Sequence, residues 1–199
     1  MNDTHIGTYH LGDNPQLYEV QRNNNYEFVV TGLGTPDDPL LKAGYIGTET
    51  AAKILNGDEI LRVAVQGAPV PHFEQETIEV KRGNNTLKYA GVPTFQSGQV
   101  KFQDFIGADV KAVLMAWQNL SYNVNDETVG SLARTNYKRT CYLLEYPPDY
   151  YAPVRTWILK GCWIKGLSED EYGNEDSGKH SITATIEYDV AKIDTTSII

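Results

Sequence analysis

The residues best suited to chemistry in this 199-residue chain are four histidines, two cysteines and one dense run of carboxylates. Their spacing decides what they can do. An imidazole holds a metal or moves a proton when a second ligand or a substrate stands beside it, yet His5, His10, His72 and His180 have no His, Cys or carboxylate partner at a metal-site spacing. They read as surface or interface histidines. Cys141 and Cys162 lack a CxxC spacing and fall in segments that read as strands, which suits buried apolar thiols. The run Glu169-Asp170-Glu171-Tyr172-Gly173-Asn174-Glu175-Asp176 has the charge to attract calcium but not the alternation of an EF-hand loop, so it reads as a solvated loop. Gly32-Leu33-Gly34 is too short for a phosphate loop, and there is no GxSxG or Walker A sequence. No set of residues combines a nucleophile or metal with a base, so no catalytic residue, metal or cofactor is expected.

Composition points to contact surfaces instead. Thirteen Tyr and three Trp against five Phe favour strands and interfaces, where aromatic bodies pack and polar tips stay wet. A formal charge of -9 disfavours tight binding of nucleic acid or anionic membrane. No apolar run approaches the roughly 20 residues of a membrane span, and the polar start Met1-Asn2-Asp3-Thr4-His5 is unlike a signal peptide, so synthesis in the cytoplasm is expected. The length suits a single domain over 1–199.

The elements that would carry such surfaces follow from periodicity. Residues 1–16 are polar and aperiodic, an arm rather than a core element. Strand pattern covers 26–31, and the turn-rich 32–59 reads as a long loop holding a short helix at 49–55, capped by Thr48 and stopped at Asn56-Gly57. Leu61-Arg62-Val63-Ala64-Val65 alternates as a strand. In Thr77-Ile78-Glu79-Val80-Lys81 and Thr86-Leu87-Lys88-Tyr89, around Arg82-Gly83-Asn84-Asn85, a hairpin places Ile78, Val80, Leu87 and Tyr89 on a packing face opposite Glu79, Lys81 and Lys88.

A further strand is expected at 99–103. Then Val110, Val113, Leu114, Trp117 and Leu120 form a stripe at helical spacing, predicting a helix over 108–121 docked on a sheet. Residues 123–134 read as a loop. Strands are expected at 137–146 and 154–167, with Trp157, Leu159 and Trp163 on one parity; their pairing places Cys141 beside Leu159 or Lys160, so a disulfide to Cys162 would need a register slip. Ile182, Ala184, Ile186, Tyr188 and Val190 alternate through a last strand, 181–190. The fold class is mostly β: a two-sheet antiparallel barrel or sandwich with one flanking amphipathic helix and a long hairpin.

The order of these elements resembles the tail tube proteins of contractile-tailed bacteriophages and related contractile injection systems. The resemblance rests on the hairpin 77–89 with Ala90-Gly91, the strand 99–104, the helix ending Leu114-Met115-Ala116-Trp117-Gln118-Asn119, the segment Trp157-Ile158-Leu159-Lys160-Gly161-Cys162-Trp163 and the strand 182–189. It implies a structural virion protein of the tail, a homo-oligomer whose hexameric rings stack into a tube, with sheath, baseplate and terminator proteins as partners and no membrane. Glu79, Lys81 and Lys88 would then face a channel through which DNA passes without tight binding, and Ile78, Val80, Leu87 and Tyr89 would pack outward. The arm and the loop 32–59 would contact stacked rings or sheath, although 32–59 is longer than the resemblance leads one to expect. A tube-initiating baseplate protein or a tube terminator would share this fold. From another class, a carbohydrate-binding module could stack sugar on Tyr150, Tyr151 and Trp163.

Overall fold

The computed structural model describes residues 20–34, 56–107, 109–132, 136–149, 151–171 and 178–194. The arm 1–16 and the expected helix 49–55 lie outside them. The described elements are β1 (Tyr26–Val30), α1 (Gly57–Ala64), β2 (Val65–Gly67), β3 (Phe73–Arg82), β4 (Asn85–Phe95), β5 (Gly98–Gln103), α2 (Val110–Asn119), β6 (Tyr122–Asn123), β7 (Thr128–Val129), β8 (Arg139–Glu145), β9 (Arg155–Glu169), β10 (Ser181–Glu187) and β11 (Val190–Asp194). The class is mostly β, as expected. Strands run β1-β8-β9-β10-β5-β2 around a nearly closed antiparallel barrel, with β11 added against β9.

The 15-residue β9 holds the two halves of the barrel together. Its first half pairs with β8 and β11, its second half with β10. Between them Gly161 adopts φ +74°, a conformation that favours glycine, and a Cβ there would collide with the Asp189 carboxylate. Lys138 Nζ donates to both oxygens of that carboxylate at 2.7 Å. The irregularity changes which side chains face inward. Leu159 lies in the core before it, Cys162 and Ile164 after it, so Trp163 does not share the parity of Trp157 and Leu159; it meets Tyr137 edge-on at 6.3 Å. Opposite it, the expected strand 181–190 is two strands, because the chain bends at Tyr188-Asp189 between β10 and β11.

The core forms where the helical stripe meets these strands. Val110, Val113, Leu114, Trp117 and Leu120 are all buried, packed with Val100, Phe102, Ile182, Ala184 and Ile186. Each such side chain contributes about 1.5–3 kcal/mol by burial. Asp109 caps α2 by accepting from the Ala112 N–H at 2.8 Å, and the Trp117 indole donates to the Tyr137 carbonyl at 3.0 Å.

Two further segments depart from expectation. Residues 61–64 belong to α1, not to a strand: Gly57, Leu61 and Ala64 are buried at helical spacing while Val63 faces outward, and only Val65–Gly67 is extended. Asn56 takes the left-handed conformation, with φ 60°, and stands at the start of this helix. Gly57 is needed for proximity, since a Cβ there would lie 3.0 Å from Val113 of α2. The expected loop 123–134 contains the small hairpin β6–β7.

Cys141 pairs opposite Leu159, as expected, yet the shift in register beyond it brings Cys162 to the same interior. Both thiols are free and fully buried. Burial, then the hydrogen bond to Cys162, push the Cys141 thiol well above its usual pKa. Ionisation of Cys141 is therefore disfavoured in the folded chain, and stability contributed by its neutral thiol is lost as pH rises above the ordinary thiol range. A disulfide-based thiol reagent at pH 8 is expected to modify neither cysteine in the native protein and both in denaturant; rapid labelling of the native chain would contradict this burial.

Candidate assembly surface

The hairpin β3–β4 leaves the barrel at Phe73 and returns at Phe95. Those two rings lie 5.7 Å apart, and Phe95 stacks 5.9 Å from Tyr188, which anchors the root. Beyond it, every residue of β3 and nearly every residue of β4 is exposed. The hairpin is longer than 77–89 because pairing continues past an irregularity: Glu76 faces both Gly91 and Val92. A Cβ at 91 would come within 2.8 Å of the Glu76 carbonyl oxygen, so glycine permits the bulge. Gly91 was the sequence signal for this extension.

Ile78 stands opposite Tyr89 and Val80 opposite Leu87, forming one apolar face. These four side chains are 52%, 54%, 46% and 38% exposed respectively, and none of them belongs to the core formed by the described residues. The expectation of a packed face is not met inside the monomer. On the other face Glu79 stands opposite Lys88 with an ion pair of 3.5 Å, and Lys81 opposite Thr86. Gly83 turns the tip at φ +63°. Two exposed faces of opposite character on one β-ribbon can join a sheet built from several chains.

A second feature was not foreseen. The ends of the strand order, β1 and β2, leave a seam whose groove of about 720 Å³ is lined by Tyr26, Glu27, Arg62, Gln66 and Tyr146 among others. Arg62 Nε donates to Glu27 Oε1, and the Tyr146 hydroxyl donates to Glu27 Oε2 at 3.1 Å. The hydrogen bond to Glu27 raises the Arg62 pKa, while burial and then the same carboxylate raise that of Tyr146. Glu27 of β1 is thereby tied to Arg62 of α1 and to Tyr146 just beyond β8. Reading 61–65 as a strand hid this, because only a helix places Arg62 over β1.

The residues considered for chemistry are not brought together. His5, His10 and Tyr150 lie outside the described residues. His72 accepts through its carbonyl from Gln96 N–H at the hairpin root, and His180 lies 3.7 Å from Glu169, which also pairs with Lys111 at 2.7 Å. Among the described residues no three His, Cys, Asp or Glu side chains gather. Tyr151 is exposed before β9, whereas Trp163 lies beyond Gly161 against Tyr137, so the two do not form a sugar platform.

No family model and no curated protein matches this sequence. Solved structures do match. A chain of the extended sheath–tube complex of the extracellular contractile injection system PVC superposes with a TM-score of 0.60 at 14% identity, over 92% of this chain and 98% of that one. A chain of the PVC sheath/tube terminator in its extended state gives 0.60 at 12% identity, over 89% and 98%. The tube-terminating cap of the anti-feeding prophage AFP gives 0.54 at 14%, over 66% and 80%. The fold, a β barrel with a flanking helix and a projecting hairpin, is tail-tube-like by its similarity to these components of contractile injection systems.

Proposed function

We propose that this chain is a structural, non-catalytic subunit of a tail tube, forming hexameric rings that stack around a central channel. The observation that carries this is the hairpin, whose apolar face stands largely exposed outside the described core although the barrel behind it has the tube-like fold. In the ring, Ile78, Val80, Leu87 and Tyr89 pack outward on a neighbour while Glu79, Lys81 and Lys88 line the channel. The acidic balance of the whole chain lets DNA pass without being held. Sheath, baseplate and terminator proteins are the natural partners of such a tube, which is made in the host cytoplasm and resides in the virion tail. The match to a chain of a terminator complex and to a tube-terminating cap supports a second reading, a ring that ends the tube.

Purified protein, concentrated or seeded, is expected to give hollow tubes by negative-stain electron microscopy. Single rings that never stack would favour the terminator reading. A strictly monomeric protein that binds glycans would remove both.

A further inference from the structure

We infer that the hairpin is also a head-to-tail electrostatic connector, the basic tip of one copy's β3–β4 meeting the acidic root of the same hairpin in a second copy stacked along the axis. This rests on the tube reading and adds which residues set the direction of stacking. The hairpin carries six charged side chains, and they are sorted along its length: Glu74, Glu76 and Glu79, then Lys81, Arg82 and Lys88. The register turns that order into positions. Glu74 lies opposite Thr94 at the root and Glu76 at the bulge; Glu79 and Lys88 share a rung; Lys81 lies opposite Thr86 and Arg82 opposite Asn85 at the tip.

The shared rung neutralises itself through its 3.5 Å ion pair. That leaves two carboxylates toward the root and two cations toward the tip. Glu76, Lys81 and Arg82 make no ion pair among the described residues. At about 3.3 Å per residue, Glu76 and Arg82 are ~20 Å apart along the strand. That exceeds the Debye length of about 8 Å at physiological salt, so the two ends of one hairpin do not satisfy each other.

A second copy displaced along the same direction by this distance brings tip against root. Such a contact joins two different patches, so it repeats without closing and builds an open stack. The inverted arrangements, tip to tip and root to root, place like charges together and are disfavoured. One exposed pair is worth only about 0–1 kcal/mol, but a ring presents one set per subunit and engages them together.

The test compares wild type with a tip-reversed variant, Lys81→Glu/Arg82→Glu, a root-reversed variant, Glu74→Lys/Glu76→Lys, and the variant carrying all four substitutions. Thermal melting checks that each is folded, and electron microscopy in low salt scores rings and tubes. Each single-end variant is expected to form rings without tubes. Both the fourfold variant and an equimolar mixture of the two single-end variants, whose rings can alternate, should recover tubes. Tubes from the tip-reversed variant as long as those of wild type would overturn the connector and leave the tube reading standing. So would a fourfold variant that forms rings but never stacks. Wild type that forms no ring in any condition would instead overturn the tube reading, and the connector with it.

Discussion

Val80→Asp is expected to give a folded chain that no longer assembles. Val80 is 46% exposed and contributes nothing to the barrel core, so the substitution should change monomer stability by no more than about 1 kcal/mol, the scale of strand propensity. In the ring proposed above, a neighbour would cover the same position. A carboxylate enclosed there without a partner costs several kcal/mol, and each 1.4 kcal/mol is tenfold in an association constant. A penalty of about 3 kcal/mol per interface would raise the protein concentration needed for assembly more than ~100-fold. Sedimentation velocity and electron microscopy measure the loss, while a circular dichroism melt shows the barrel intact. Tubes formed at wild-type concentration would reverse the assignment of faces, placing Glu79, Lys81 and Lys88 against the neighbour.

Trp117→Ala should instead destabilise the monomer. The indole is 1% exposed at the centre of the α2 stripe, and its N–H is satisfied by the Tyr137 carbonyl. Emptying such a site costs about 3–5 kcal/mol, against a total stability of about 5–15 kcal/mol for ordinary domains. Urea denaturation should show the midpoint falling by a large fraction with the slope unchanged. Trp117→Phe keeps most of the volume and loses the hydrogen bond, so it should fall between the two. A near-neutral Trp117→Ala would mean that α2 does not close the core.

Both residues were legible in the sequence because each sits in a clean period. Val110, Val113, Leu114, Trp117 and Leu120 repeat at helical spacing and are buried together; Ile78, Val80, Leu87 and Tyr89 alternate and share one face. Periodicity failed where two periods agree over a short stretch. Leu61, Val63 and Val65 alternate as well as any strand, yet Gly57, Leu61 and Ala64 satisfy a helix, and packing of α1 against Leu33 and Val113 chooses between them. It failed again where one glycine resets parity. Gly161 turns Trp163 away from Leu159, and no pattern in the side chains on either side announces that. The groove was out of reach for a different reason: Glu27, Arg62 and Tyr146 are far apart in the chain and meet only through the β1–β8 pairing and the docking of α1.

The strand partners also differ in how far apart they lie along the chain. Tyr26 pairs with Glu145 and Ser181 with Gln103, whereas Arg82 pairs with Asn85 across a two-residue turn. Non-local pairing of the barrel belongs to folding times of milliseconds to seconds, while a hairpin closes in about 1–10 μs. Closure of the barrel, not of the hairpin, therefore sets the pace of folding. The bulge at Glu76 interrupts the regular edge of that hairpin, a feature that blunts edge-to-edge pairing with other chains while the barrel is still forming.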